Sequence, residues 1–217
     1  MSQIKACLFD LDGVLVDTAK YHFLAWKRLA DELHIKFTKE DNERLKGVSR
    51  MRSLDIILEI GQIHFDSETK LKLAAKKNNW YVDFIKELTP DEILPGSEEF
   101  LKSAKANNFK LALGSASKNS MLILNKLNLV DYFDAIIDGT KVSKAKPDPE
   151  VFLRGAEELK VNPKQCVVFE DAEAGVEAAI NADMYCVGIG SPQILKKANM
   201  VISGLHEMNL NKLNLLK

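Results

Sequence analysis

Three aspartates crowd the stretch FDLDGVLVDT near the start of the chain: Asp10, Asp12 and Asp17. Carboxylates beside an apolar run are costly to bury unless something uses or compensates them. Asp10 closes the run IKACLF, and side chains of extended backbone alternate, so Asp10 and Asp12 leave on one side and Leu11 on the other. Gly13 then gives the backbone room to turn. Two carboxylates so close repel, and either share a proton or take up a cation. Hard oxygen donors of this kind suit Mg²⁺. Capping a helix or loop is the other use of such aspartates, and it suits Asp17 better than Asp12.

Three later stretches could complete a site. GSASKN at 114–119 follows the apolar run FKLAL and offers small residues, hydroxyls and free amides, the makings of an anion site. Lys146 in SKAKPDP follows AII and is a suitable point charge for a phosphate. Asp148 and Pro149 beside it read as a helix start, with Asp148 as the cap. Glu170 and Asp171 follow CVVF, where an acidic pair suits Mg²⁺ or caps the next helix.

These parts need a scaffold that gathers them. Short apolar runs at Ile4–Phe9, Phe109–Leu113, Ala135–Ile137, Cys166–Phe169, Tyr185–Ile189 and Met200–Ile202 read as strands buried on both faces. Helical patterns separate them, at 149–160 and 172–182 among others. The alternation predicts an α/β fold with a doubly wound parallel sheet. In such sheets ligands bind at the carboxyl ends of the strands, where all four stretches fall. One connection is too long for a simple crossover: roughly 95 residues separate Phe9 from the strand near Lys110. Phe23, Trp26, Leu29, Ala30 and Leu33 recur in it at helical spacing, as do Leu54, Ile57 and Leu58. It predicts an inserted helical domain over 16–90, with a core formed by 1–15 and 91–217.

The bulk properties exclude several classes. Among 217 residues, 30 Lys and Arg face 31 Asp and Glu, a net charge of −1, so no global basic field draws nucleic acid or an anionic membrane. No apolar run approaches the roughly 20 residues of a membrane helix, and MSQIKACLFD does not read as a secretory signal. Cys7, Cys166 and Cys186 form no CxxC pair and are expected to be free buried thiols in a reduced, cytoplasmic setting. GIGS at 188–191 is too short for a dinucleotide fingerprint.

Taken in order, DLDGV, GSAS, AKPDP and FEDAEAG resemble the four motifs of the haloacid-dehalogenase superfamily of phosphotransferases, and the resemblance spans essentially the whole chain. It implies a Rossmann-like doubly wound core with an inserted α-helical cap. It also implies Asp10 as nucleophile, forming an aspartyl phosphate, and Asp12 as general acid and base. Ser115 and Lys146 would hold the transferring phosphoryl group. Asp10, the backbone carbonyl of Asp12, Glu170 and Asp171 would hold Mg²⁺.

A finer resemblance, carried by DTAKYHFLAW, LKGVSR, KKNNWYV and SASKN, is to the hexose-phosphate mutases of that superfamily. It implies that Thr18 and His22 support the acid/base group at a hinge. Lys46, Gly47, Val48, Ser49 and Arg50 would form a cap loop. Arg50, Ala116, Ser117, Lys118 and Asn119 would line the site of a second phosphate, with Lys77 and Trp26 facing the sugar. The implied reaction interconverts β-D-glucose 1-phosphate and glucose 6-phosphate through a bisphosphate. A sugar-phosphate phosphatase with water as acceptor is the alternative. A sensor without turnover is a third reading, and the intact Asp10, Asp12, Lys146 and Asp171 set argues against it. The expected partners are small sugar phosphates, with no nucleic acid or membrane, and the chain is expected to be a monomer. Two residues depart from the pattern: Ala172, where serine is frequent, and Asp148, where alanine is.

Overall fold

A computed structural model describes residues 4–45 and 47–216, so Lys46 of the expected cap loop lies outside the described residues. Six parallel strands form one sheet in the order β3-β2-β1-β4-β5-β6. They are β1 (Ala6–Phe9), β2 (Lys110–Gly114), β3 (Ala135–Ile137), β4 (Cys166–Glu170), β5 (Tyr185–Ile189) and β6 (Met200–Ile202). The central β1 pairs Phe9 with Leu113 of β2 on one side and with Phe169 of β4 on the other. This register brings Asp10, Gly114 and Glu170 level at the carboxyl edge.

Strand alternation divides the core into two layers. Ala6 and Leu8 pack with Phe152 and Val176, from α7 (Glu150–Leu159) and α8 (Glu173–Asn181). Cys7 and Phe9 face the other way, against Phe100 and Leu101 of α5 (Ser97–Ala106). The Phe9 ring stacks on Phe169 at 4.8 Å and meets Phe100 edge-on at 6.1 Å. Each such fully buried ring contributes about 1.5–3 kcal/mol, so β1 is held where its last residue must stay fixed.

Some boundaries differ from the sequence reading. The first strand starts at Ala6, and the second starts one residue late because the Phe109 amide turns back to the Ala104 carbonyl and closes α5. Pro149 precedes the first helical residue of α7 and takes the N-cap place expected for Asp148. The Asp148 carboxylate still accepts from the Glu150 amide at 3.0 Å.

Between β1 and β2 lie α1 (Ala19–Glu32), α2 (Lys39–Glu43), α3 (Arg50–Gly61) and α4 (Ser67–Lys86). Ser49 caps α3 by accepting from the Arg52 amide, and Asp66 caps α4 by accepting from the Thr69 amide. Asp17 does not cap α1: Thr18 precedes that helix, and no side chain among the described residues caps it. These helices share a hydrophobic cluster of their own around Trp26, Leu29, Leu54, Ile57 and Ala74. The chain leaves and re-enters the sheet region side by side, where Val16 pairs with Ile93 and the Asp17 amide donates to the Glu92 carbonyl. Tyr21 donates to the Glu92 carboxylate at 2.6 Å, and Lys20 pairs with its other oxygen at 2.6 Å. After β2 comes α6 (Ser120–Lys126), and α9 (Leu210–Leu213) ends the described chain. Among the described residues no helix is long and apolar enough to cross a membrane.

Candidate active site

The carboxyl edge of the sheet concentrates charge. Lys146 donates from Nζ to Asp10 Oδ1 at 2.5 Å and to Glu170 Oε1 at 2.6 Å. Its side chain is 1% exposed. Burial works against its charge, yet the carboxylates of Asp10 and Glu170 outweigh burial and raise its pKa, so the lysine stays an ammonium. Glu170 Oε2 accepts from the Ala172 amide at 2.8 Å, which leaves both Glu170 oxygens engaged. Asp12 is different. Burial, with the charge of Asp10 second, pushes its carboxyl up to about 7, and its Oδ1 has no hydrogen-bond partner among the described residues. A carboxyl titrating there can both give and take a proton near neutrality.

Ser115 follows β2 and is buried. Its hydroxyl accepts from the Ser117 amide, and the Ser117 hydroxyl accepts from the Asn119 amide, both at 3.2 Å. This local side-chain bonding explains why GSASKN turns instead of extending the strand.

The second half of the site comes from α1 and α4. His22 and Trp26 lie one turn apart on α1, as do Lys77 and Tyr81 on α4. Lys77 Nζ lies 2.9 Å from His22 Nδ1, 4.5 Å from the Trp26 ring centroid and 4.7 Å from that of Tyr81. The His22 ring stacks on Tyr81 at 3.9 Å. Burial first, then the Arg50 charge, pushes Lys77 down to about 7. Burial and the Lys77 charge hold His22 well below its usual range. A neutral His22 accepting at Nδ1 carries its proton on Nε2. Among the described residues, Thr18 Oγ1 and Tyr81 Oη join Asp12 Oδ1 as buried polar atoms without a hydrogen-bond partner. Buried polar atoms are seldom left so, and each calls for an explanation.

Between these halves lies a cavity of about 520 Å³, within the usual range for small-ligand sites. Asp10, Asp12, Ser115, Lys146 and Asp171 border it from the strand ends. His22, Trp26, Gly47, Val48, Ser49, Arg50 and Lys77 border it from the helices, and Ala116, Ser117, Lys118 and Asn119 close the remaining side. Asn119 Nδ2 donates to Asn78 Oδ1 of α4 at 2.9 Å across the seam. Gly47, with φ of +70°, leaves only 3.1 Å between the place of an added Cβ and the Ala172 Cβ. Among the described residues, two that the sequence predicts do not border the cavity: Thr18 is buried beside it, and Glu170 stands behind Lys146.

Asn78 and Tyr81 escaped the sequence reading. Their signal was available, since each shares a face of α4 with Lys77 or follows it directly, but nothing in the sequence shows that α1 supplies the facing half of the cage.

The carboxylates fit a hard divalent cation, although no group of three or more His, Cys, Asp or Glu side chains among the described residues stands ready-gathered around one. Asp10 and Glu170 are buried with Asp12 half-buried beside them, and Lys146 is the cation that reaches Asp10 and Glu170. Asp171 crowds the turn after Asp12: a Cβ at Gly13, whose φ is +80°, would lie 2.3 Å from Asp171 Oδ2. The donors are all oxygen and carry more negative charge than one lysine balances, which is the chemistry of a divalent site.

A family model described as haloacid dehalogenase-like hydrolase matches residues 4–183. The chain is 43% identical over 213 residues to a β-phosphoglucomutase of Bacillus subtilis, covering 97% of this chain and 94% of that one. It is 35% identical over 182 residues to a phosphorylated carbohydrates phosphatase of Thermotoga maritima, covering 82% of each. Its fold is similar to the crystal structure of a β-phosphoglucomutase from Clostridium difficile, with a TM-score of 0.94 at 46% identity over 98% of this chain and 96% of that one.

Proposed function

We infer, from a chain that belongs to the haloacid dehalogenase-like hydrolases, a phosphomutase that interconverts β-D-glucose 1-phosphate and glucose 6-phosphate through an aspartyl phosphate and a bisphosphate. One observation carries the reading. A single cavity holds Asp10 with Lys146 at one side and a second anion-binding set, Arg50, Ser117, Lys118 and Asn119, at another. A phosphatase needs one phosphate site and water. A mutase must hold a phosphate at each end of its hexose, and Arg is suited to the distal one because its fork binds two oxygens.

In this reading Asp10 attacks phosphorus, and Asp12 protonates the leaving oxygen and later takes the proton of the attacking hydroxyl. The carboxyl of Asp12, poised at about 7, supports both duties. Lys146 and Ser115 hold the equatorial phosphoryl oxygens, where charge gathers in the transition state. Asp10, the Asp12 carbonyl and Asp171 would hold Mg²⁺, while Glu170, expected from the sequence as a further ligand, has both oxygens engaged and holds Lys146 instead. Such an ion, when bound, supplies positive charge to those same oxygens. His22 and Lys77 orient the acid/base side of the cavity. Residues 16–90 act as a cap that excludes water while a sugar binds, a role supported by their own hydrophobic cluster and the paired connections at Val16 and Ile93. Three buried free thiols support a reducing, cytoplasmic setting.

The test follows phosphorus by NMR, with β-glucose 1-phosphate, Mg²⁺ and a trace of the bisphosphate. Glucose 6-phosphate without free phosphate is expected. Stoichiometric free phosphate would replace the mutase with a phosphatase.

A further inference from the structure

We propose that Glu150 is a positioning residue that holds Lys146 in place through the loop in front of it. The proposal rests on the reading of Lys146 as the ligand of the transferring phosphoryl group. Lys146 has to reach Asp10 from a stretch, residues 138–149, that is neither strand nor helix. Such a stretch needs its own hydrogen-bond partners to keep one conformation.

Glu150 supplies them. Its Oε2 accepts from the Ser143 amide at 2.9 Å, the Ser143 hydroxyl at 2.9 Å and the Lys144 amide at 2.8 Å. Its Oε1 faces Arg154 Nε at 3.1 Å, one helical turn along α7. The Lys144 amide first, and the Ser143 hydroxyl next, hold the Glu150 carboxyl below its usual range, so it is charged when it accepts them. Charge-assisted bonds of this kind are the stronger ones. The helix that carries Glu150 is itself anchored. Phe152 is buried in the core, and its ring centroid lies 4.8 Å from Lys146 Nζ. Beyond the lysine, the Asp148 amide donates to the Ala145 carbonyl, and Asn181 Nδ2 donates to the Pro147 carbonyl, both at 3.0 Å. The loop is therefore fastened on both sides of Lys146, and three of its bonds end on one carboxylate oxygen six or seven residues further along the chain.

A plain alternative is that Glu150 only stabilises α7, as an acid in a first helical turn does. The two differ in coupling. A helix-stabilising residue lowers thermal stability and leaves the phosphoryl-transfer rate of folded protein alone. A positioning residue lowers that rate, and does so only while Lys146 is present.

The experiment is a double-mutant cycle on full-length protein, reading single-turnover phosphoryl transfer from the bisphosphate together with KM. E150A is expected to slow transfer by about 10- to 100-fold with little change in KM, as misplacement of a catalytic group does. E150Q, which keeps an acceptor oxygen, should recover most of the rate. In a K146A background E150A should cost little more. Equal losses in both backgrounds, or a transfer rate unchanged by E150A, overturn the proposal. If E150A does not fold, S143A, which removes the hydroxyl bond to Glu150, carries the same cycle with a smaller loss expected. If the parent protein releases free phosphate, the mutase reading fails on its own, and the same cycle run on phosphate release still decides the role of Glu150.

Discussion

Lys146 and Lys77 border one cavity and are almost equally buried, at 4% and 2% exposure. Their surroundings push them in opposite directions. Lys146 stands between two carboxylates and is held as an ammonium. Lys77 meets a histidine nitrogen, two aromatic faces and the charge of Arg50, and it falls to about 7. The strand ends thus carry a permanent ammonium fixed between two carboxylates, with negative charge left over for a divalent cation. The helical side carries cations whose balance waits on an anion. That division suits a phosphoryl group fixed at one end and a substrate that arrives and leaves at the other.

The largest test of the contrast is Asp12, which lies between the lysines. Asp12→Ala should slow turnover by about 10²–10⁴-fold while Mg²⁺ affinity, measured by calorimetry, stays near that of the parent. Loss of metal binding would give Asp12 a different role. In metal-free protein the Asp12 carboxyl should titrate near 7 by carbon NMR. Its acid form is present below that pH and is lost as pH rises through it, so leaving-group protonation fades on the alkaline side.

Lys146→Met comes next. It should slow transfer by about 10²–10³-fold and lower stability by about 3–5 kcal/mol in urea unfolding, since it leaves Asp10 and Glu170 buried without their cation. Lys77 should behave in the opposite sense. Its folded-state pKa is depressed, so the unfolded chain binds the proton more tightly, and stability is lost as pH falls from the ordinary lysine range towards about 7. Parent protein should therefore gain on the order of 1 kcal/mol per pH unit between neutral and alkaline conditions, a slope missing in Lys77→Met. Equal slopes would erase the distinction between the two lysines. The smallest effect is expected of Asn78→Ala, which removes the amide bond to Asn119 and should cost about 0.5–1.5 kcal/mol of stability, with a raised KM for sugar phosphate and little change in kcat.

The sequence made the strand-end half of the site legible because its parts are local. Each motif follows a short apolar run, and parallel pairing of those runs brings their ends level without further information. The helical half was legible only residue by residue. His22, Lys77 and Arg50 stand out, but the stacking of His22 on Tyr81 depends on how α1 meets α4, a contact that no periodicity encodes. The same holds for Glu170. Its place beside Asp171 suggests an equal partner, whereas alternation turns it inward to Lys146. Glu150 reads as a routine first-turn acid, and only the backbone path of residues 143 and 144 reveals what it accepts.

Gly47 facing Ala172 sets a limit on what this enzyme can become. A methyl group added at Gly47 would stand 3.1 Å from the Ala172 Cβ, so one side of the contact must give by a few tenths of an ångström, and at φ of +70° any side chain there is strained.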